Sequence, residues 1–235
     1  GCVVAMEVMR YLYGIKKRQY SYQMILSPEL IGTIFFVGNN LPKVKNTFGM
    51  LNLETVGSGK RWNLKHSLKT KSILDKALEV SFKLSEIDFK EIGFFDGYGN
   101  DERVYSWPPV SVPSVAIQKH PFYGYHTNLD VPENIDPKSL EEAMKICLSL
   151  ISVIEKNYVP TYTSPIPPYL SKRELYFDRW RDLENHHKYN NHLLFNVNGV
   201  NSLVDLTQIT NLPFHNIWQY LEKFYKQGLI MKKPE

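Results

Sequence analysis

The sequence predicts an α/β protein: a domain built on a mixed sheet, followed by a small C-terminal domain with the texture of a winged helix. Three observations lead there. Short apolar runs that close on an acidic residue alternate with amphipathic helical patterns over the first part of the chain. A proline-rich stretch, residues 159–169, then interrupts that rhythm. Beyond it come short helical patterns, a proline-started helix and a terminal apolar strand. The domains expected are therefore 1–158, a connecting segment 159–184, and 185–235.

Each element has its own signal. Val3 to Tyr13 is apolar over most of a helical circumference, and Gly14 can stop it. Tyr22 to Ser27 is a short apolar run that predicts a buried strand. Pro28-Glu29 ends it, and Leu30 to Val37 predicts a helix. Thr47 to Leu53 predicts a strand closed by Glu54. Arg61 to His66 reads as an edge strand, and Thr70 to Leu84 as an amphipathic helix with Ile73, Leu74, Ala77 and Leu78 on one side. Ile92 to Phe95 and Val112 to Ile117 are the next strand candidates. Asp136-Pro137 is a helix start, an acid at the N-cap before a proline at the first helical position. That helix should run to about Asn157. Pro213 to Tyr225 predicts the last helix, before the apolar end at Leu229-Ile230.

Composition narrows the function classes. The 235 residues are 43% hydrophobic and 13% aromatic, enough for a substantial core. The net charge of +4 is spread along the chain and does not form a nucleic-acid footprint. No apolar run reaches the roughly 18 residues of a membrane helix. Cys2 and Cys147 make no Cys-x-x-Cys pair, which suits a reducing, cytoplasmic setting. The expected partner is a peptide or amide-bearing small molecule. Nucleic acid and membrane are not expected, and a homo-oligomer is compatible with the sequence.

Strand, acid, helix is the order that places a side chain at the carboxyl edge of a sheet, where open α/β sheets bind ligands. Glu29 and Glu54 occupy that position. The loop Tyr125-His126-Thr127-Asn128-Leu129-Asp130 adds an imidazole, with Asp130 a candidate to fix its tautomer. Carboxylate and imidazole together suit one zinc site, or a pair of ions. Each residue also fits a plainer role: Glu29 facing a helix dipole, Glu54 an exposed strand-end acid, His126 a surface loop residue. Asp101-Glu102-Arg103 could orient a substrate carboxylate through Arg103, or form a surface ion pair. His186, His187 and His192 are expected to be solvated.

These stretches resemble a known family. Ser27-Pro28-Glu29-Leu30-Ile31-Gly32-Thr33, Leu53-Glu54-Thr55-Val56-Gly57, Asn100-Asp101-Glu102-Arg103-Val104-Tyr105 and the loop 125–130 are similar, in this order, to motifs of aminopeptidase-like proteins with a C-terminal winged helix. That is the DUF4910/DUF2172 group, related to the M28 zinc aminopeptidases. The resemblance implies a three-layer αβα zinc-aminopeptidase-like domain and hydrolysis of peptide or amide bonds, with a link to surface-polysaccharide biosynthesis. It implies zinc, one or two ions, on Glu29, Glu54 and His126, with Glu29 as ligand or general base. Asp101, Arg103 and Tyr125 would shape the substrate pocket. Gly1 to Ala5 resembles the end of a segment whose His and bridging Asp would precede Gly1, so the chain is expected to be a fragment. Pro28 stands where M28 enzymes carry a second acid. Two rival readings follow from the same residues: a binding protein that kept the fold without the activity, and a regulator using the last domain on DNA. For the latter, the candidate helix offers His215, Asn216, Gln219, Lys223 and Lys226.

Overall fold

Residues 1–234 are described in the computed structural model of the chain. They divide into two compact units, Gly1–Glu155 and Lys156–Glu235.

The first unit is a four-stranded mixed sheet with helices on both faces. Its elements are α1 (Cys2–Tyr13), α2 (Ile31–Asn39), α3 (Leu41–Lys45), β1 (Met50–Glu54), β2 (Arg61–Lys65), α4 (Ile73–Leu84), β3 (Phe89–Ile92), α5 (Glu102–Tyr105), β4 (Ser114–His120) and α6 (Pro137–Lys156). The strand order is β1-β4-β2-β3. β1 runs parallel to β4, β4 antiparallel to β2, and β2 parallel to β3. The carboxyl ends of β1 and β4 therefore share one edge of the sheet.

The register sorts the side chains onto two faces of different character. Glu54 lies opposite Gln118, Gln118 opposite Asn63, Asn52 opposite Ala116, and Ala116 opposite Lys65. Partners in register point to the same side. One face thus carries Asn52, Glu54, Asn63, Lys65 and Gln118. The other carries Leu53, Ile117, Leu64, Trp62 and Lys119. On this second face, Trp62 donates its indole N–H to Glu142 of α6 at 2.7 Å, and the Lys119 ammonium reaches Ser139 of the same helix. α4 lies beside α6, where Lys145 donates to the Ser85 carbonyl at 2.8 Å. α5 covers the polar face.

Three expected strands differ from those observed. β2 is an interior strand, not an edge, with Trp62, Asn63, Leu64 and Lys65 all buried. Its alternation of apolar and polar residues resembles that of a half-solvated strand, but the polar positions are buried with partners. Tyr22–Ser27 forms no strand and does not join the sheet. Ile25 packs on a cluster of Val37, Val44, Tyr105 and Val112, and Tyr22 donates its hydroxyl to Glu155 at 2.7 Å. A short apolar run looks the same whether it buries itself in a sheet or against helices. β3 is also displaced: it ends at Ile92, leaving Phe94 and Phe95 in the turn beyond.

α4 starts at a capping box in which Asp75, 1% exposed, is held by surrounding donors. Burial alone would raise its pKa. Hydrogen bonds from the Ser67 hydroxyl and amide, from Ser72 and from His66 outweigh burial, and the pKa is lowered. A lowered folded pKa stabilises the fold above the unfolded carboxyl value of about 3.9. That contribution is lost as pH falls through the folded value. The urea midpoint of the wild-type protein should therefore fall below about pH 4. Asp75→Asn should lower the midpoint at pH 7 and flatten its dependence on pH in this range.

The second unit contains β5 (Val159–Tyr162), α7 (Leu183–Asn185), a π-helical stretch His186–Leu193, α8 (Leu194–Asn196), α9 (Leu203–Thr210), α10 (Phe214–Lys226) and β6 (Ile230–Lys233). β5 pairs antiparallel with β6. The start of the expected linker is thus a strand of this unit, and the expected terminal strand pairs with it. Pro160, which lacks an N–H, is tolerated because a two-stranded sheet has only edge strands. Ser202 and Asp205 form a capping box on α9. α10 buries Phe214, Ile217, Tyr220, Leu221 and Phe224, and Tyr220 donates its hydroxyl to the Leu175 carbonyl at 2.7 Å. Phe224→Ala should cost about 3–5 kcal/mol, read as a loss of the cooperative thermal transition of this unit. The exposed Lys223→Ala should leave that transition in place.

Candidate active site

The carboxyl edge of β1 and β4 collects most of the sequence-predicted residues. Glu54 ends β1 and is half-buried. Desolvation raises its pKa above the ordinary carboxylate value, and the charges of Glu29 and Glu102 raise it further. The hydrogen bond from Asn100 opposes them. Asn100 donates its side-chain N–H to Glu54 Oε2 at 2.5 Å. Glu29 is exposed, in the turn that leads into α2, and lies close enough for its charge to act on both Glu54 and Tyr125.

The loop after β4 contributes aromatic rings. Tyr125 stacks on Tyr98, with centroids 4.1 Å apart and planes at 20°. On the sequence-adjacent side it stacks on His126 at 4.0 Å and 15°. His120, the last residue of β4, meets Tyr98 edge-on at 4.6 Å. The Tyr125 hydroxyl has its pKa raised by desolvation, then by Glu54 and Glu29. His126 is exposed and keeps its ring against Tyr125. Among the described residues no hydrogen bond joins it to Asp130, the partner expected from the sequence.

The Asp101-Glu102-Arg103 triplet separates into three roles. Asp101 accepts the backbone N–H of Leu30 at 2.8 Å and so ties its loop to the stretch bearing Glu29. Glu102 is fully buried and pairs with Lys65 at 2.7 Å, not with Arg103. Arg103 is exposed and lies over Gly99, where a Cβ would sit 2.1 Å from the guanidinium carbon. Its guanidinium covers its own loop instead of pairing with the neighbouring acids.

Three of the eight positive-φ non-glycine residues among the described residues fall here. Leu30, directly after Glu29, has φ 57°, Thr55, directly after Glu54, has φ 48°, and His126 itself has φ 57°. A left-handed non-glycine residue costs on the order of 1–3 kcal/mol, and such residues gather where geometry serves function. Asn100 and Tyr98 were not among the residues selected from sequence. Their signal was present in the loop Gly97-Tyr98-Gly99-Asn100, which directly precedes the acidic triplet.

The chemistry of carboxylates and an imidazole suits zinc. Among the described residues, however, no three His, Cys, Asp or Glu side chains form a group that could hold a metal ion. Glu29 and Glu54 act on each other's charge, His126 reaches them only through its stack on Tyr125, and the three form no ligand set by themselves.

Residues 1–157 match a family described as a domain of unknown function, DUF4910. The chain belongs to this family. The DUF4910 chain is 28% identical over 221 residues to a Clostridium acetobutylicum protein provisionally named a polysaccharide biosynthesis protein with aminopeptidase-like domain. The match covers 91% of this chain and 50% of that protein. A crystal structure from Clostridium acetobutylicum, of a protein provisionally described as a peptidase, superposes with a TM-score of 0.82 at 24% identity. It covers 98% of this chain and 52% of the other. That likeness establishes the fold. The DUF4910 chain spans about half the length of these relatives. No helix among its described residues is long and apolar enough to cross a membrane.

Proposed function

We propose that this chain forms part of a hydrolase of peptide or amide bonds, of the aminopeptidase type. The observation that carries the proposal is Glu54. It is half-buried at the carboxyl edge of the sheet, its pKa is raised, and it is hydrogen-bonded to Asn100 beside Glu29. A carboxylate tuned upward toward neutral pH suits proton transfer to or from a reacting amide. In this reading Glu29 is the further acid, in the role of base or ligand. The Tyr98–Tyr125–His126 stack is a column whose ring edges offer a surface against which a substrate side chain or sugar ring can lie. Asp101 holds the Glu29 stretch in place, and Arg103 lies at the rim. The names of the relatives support the peptidase class and suggest amide-bearing polysaccharide precursors as an alternative to peptides.

Zinc belongs to this proposal as a cofactor of the full-length protein, with His126 and Glu29 among its ligands and others from outside the described residues, which leaves Glu54 to move the proton. When bound, zinc would polarise a carbonyl and acidify a water. The small second unit is proposed to be of winged-helix type, α9 and α10 being its paired helices, and to serve packing rather than nucleic-acid binding. A second reading is a binding protein without turnover, favoured by Pro28, which stands directly before Glu29 where the M28 enzymes of the resemblance carry a second acid.

The test is elemental analysis beside turnover of an aminoacyl p-nitroanilide by the full-length protein. Zinc and turnover should both be present, and both should fall in His126→Ala. The exposed His187→Ala should change neither. Full zinc and full turnover in His126→Ala would remove that residue from the site, and a wild-type protein without turnover would leave the binding reading.

A further inference from the structure

Behind the site lies a charged pair that the proposed chemistry does not use. Lys65, on the interior strand β2, and Glu102, at the start of α5, are both completely buried, with Nζ and Oε1 2.7 Å apart. Removing two charges from water is costly, and well-packed apolar residues of similar volume are often as stable or more so. Stability alone therefore gives little reason to keep this pair.

Its surroundings suggest another reason. The Lys65 ammonium also donates to the Tyr98 carbonyl at 2.6 Å, which accepts the Gln118 side-chain N–H at 2.7 Å as well. The two Glu102 oxygens each accept the Asn100 backbone N–H at 3.1 Å, and Asn52 donates to Oε2 at 3.3 Å. The pair thus fixes the backbone of residues 98–102 from beneath. Three side chains of that segment then reach outward. Tyr98 stacks on Tyr125, which stacks on His126. Asn100 holds the Glu54 carboxylate. Asp101 holds the Leu30 amide, next to Glu29. Each of the three stretches forming the candidate site is therefore tied to the same short segment.

We propose that Lys65 and Glu102 are positioning residues, a buried pair that sets the 98–102 segment and through it places Glu54, the Glu29 turn and the Tyr125–His126 loop together. This inference rests on the hydrolase reading for its effect on turnover. Its effect on the loop does not depend on that reading.

The experiment compares full-length wild-type protein with Lys65→Met/Glu102→Leu, with Asn100→Ala, and with the triple variant. Turnover of an aminoacyl p-nitroanilide is measured beside amide hydrogen exchange. The double variant should fold, with unchanged protection in β4. It should lose protection at the Leu30 amide, and its kcat should fall by about 100-fold, the loss that a misplacement of about 1 Å can cause, with KM little changed. Adding Asn100→Ala should cost less than it does in the wild-type background, since both changes release Glu54. A folded double variant with wild-type kcat and an intact Leu30 amide would overturn the proposal. Should the double variant not fold, Glu102→Gln, which keeps shape and one acceptor, is read by the same two measures and overturns the proposal if both stay at wild-type values. Full turnover in Glu54→Gln would instead overturn the hydrolase reading, while loss of Leu30 protection in the double variant would still support the positioning role.

Discussion

Glu54→Gln in the full-length protein is expected to lower kcat/KM on an aminoacyl p-nitroanilide by about 10²- to 10⁴-fold, the range of a positioned acid–base group. Glutamine keeps the length of the side chain and can still accept the Asn100 hydrogen bond at its carbonyl oxygen. The fold should therefore persist, with an unchanged thermal midpoint, and the loss would lie in the chemistry. What glutamine removes is the ionisable oxygen pair whose pKa burial and Glu29 have raised. Glu79→Gln on α4 serves as a comparison away from the site: Glu79 pairs with Lys83 one turn away. It should leave kcat/KM within twofold or so, as surface pairs contribute little.

The second large effect is on stability. Lys65→Met alone leaves Glu102 buried without its counter-charge, and should cost about 3–5 kcal/mol. The expected readout is a large fall in the denaturant midpoint of the full-length protein. Lys65→Met/Glu102→Leu should recover most of that loss, because no charge is then left buried. The two variants separate the stability of the pair from its placement of the loop. A single variant as stable as wild type would contradict the cost assigned to leaving Glu102 buried without its counter-charge.

Much of the frame was legible in the sequence. α1, α4, α6 and α10 follow from helical periodicity and from local stop and start signals such as Gly14, Asp136-Pro137 and Pro213. Glu54 was placed correctly at a strand end because β1 closes where its apolar run closes. What was not legible depends on pairing between distant residues. Arg61 to His66 reads as an edge strand, since nothing in it announces that Glu102, 37 residues beyond Lys65, will bury with that residue. β6 pairs with β5 across the length of the second unit, a match that no local pattern encodes. Arg103 reads as a group that orients a substrate carboxylate and Glu102 as its neighbour, whereas Glu102 is buried with a partner from the sheet. A usable signal did exist: polar residues recur with period two at 52 and 54, at 63 and 65, and at 118. Read together, they mark one face of the sheet as a buried polar surface under a site.

The central claim is that Glu54, Glu29 and the Tyr98–Tyr125–His126 stack face one substrate position. A crystal structure of the full-length protein with an amino-acid hydroxamate, an unreactive mimic of an amide under attack, tests it most directly. The account predicts the hydroxamate within hydrogen-bonding or metal-bridged reach of the Glu54 carboxylate, with its side chain against the Tyr98–Tyr125 rings. A hydroxamate bound away from Glu54, or His126 turned away from the position it occupies, would contradict it.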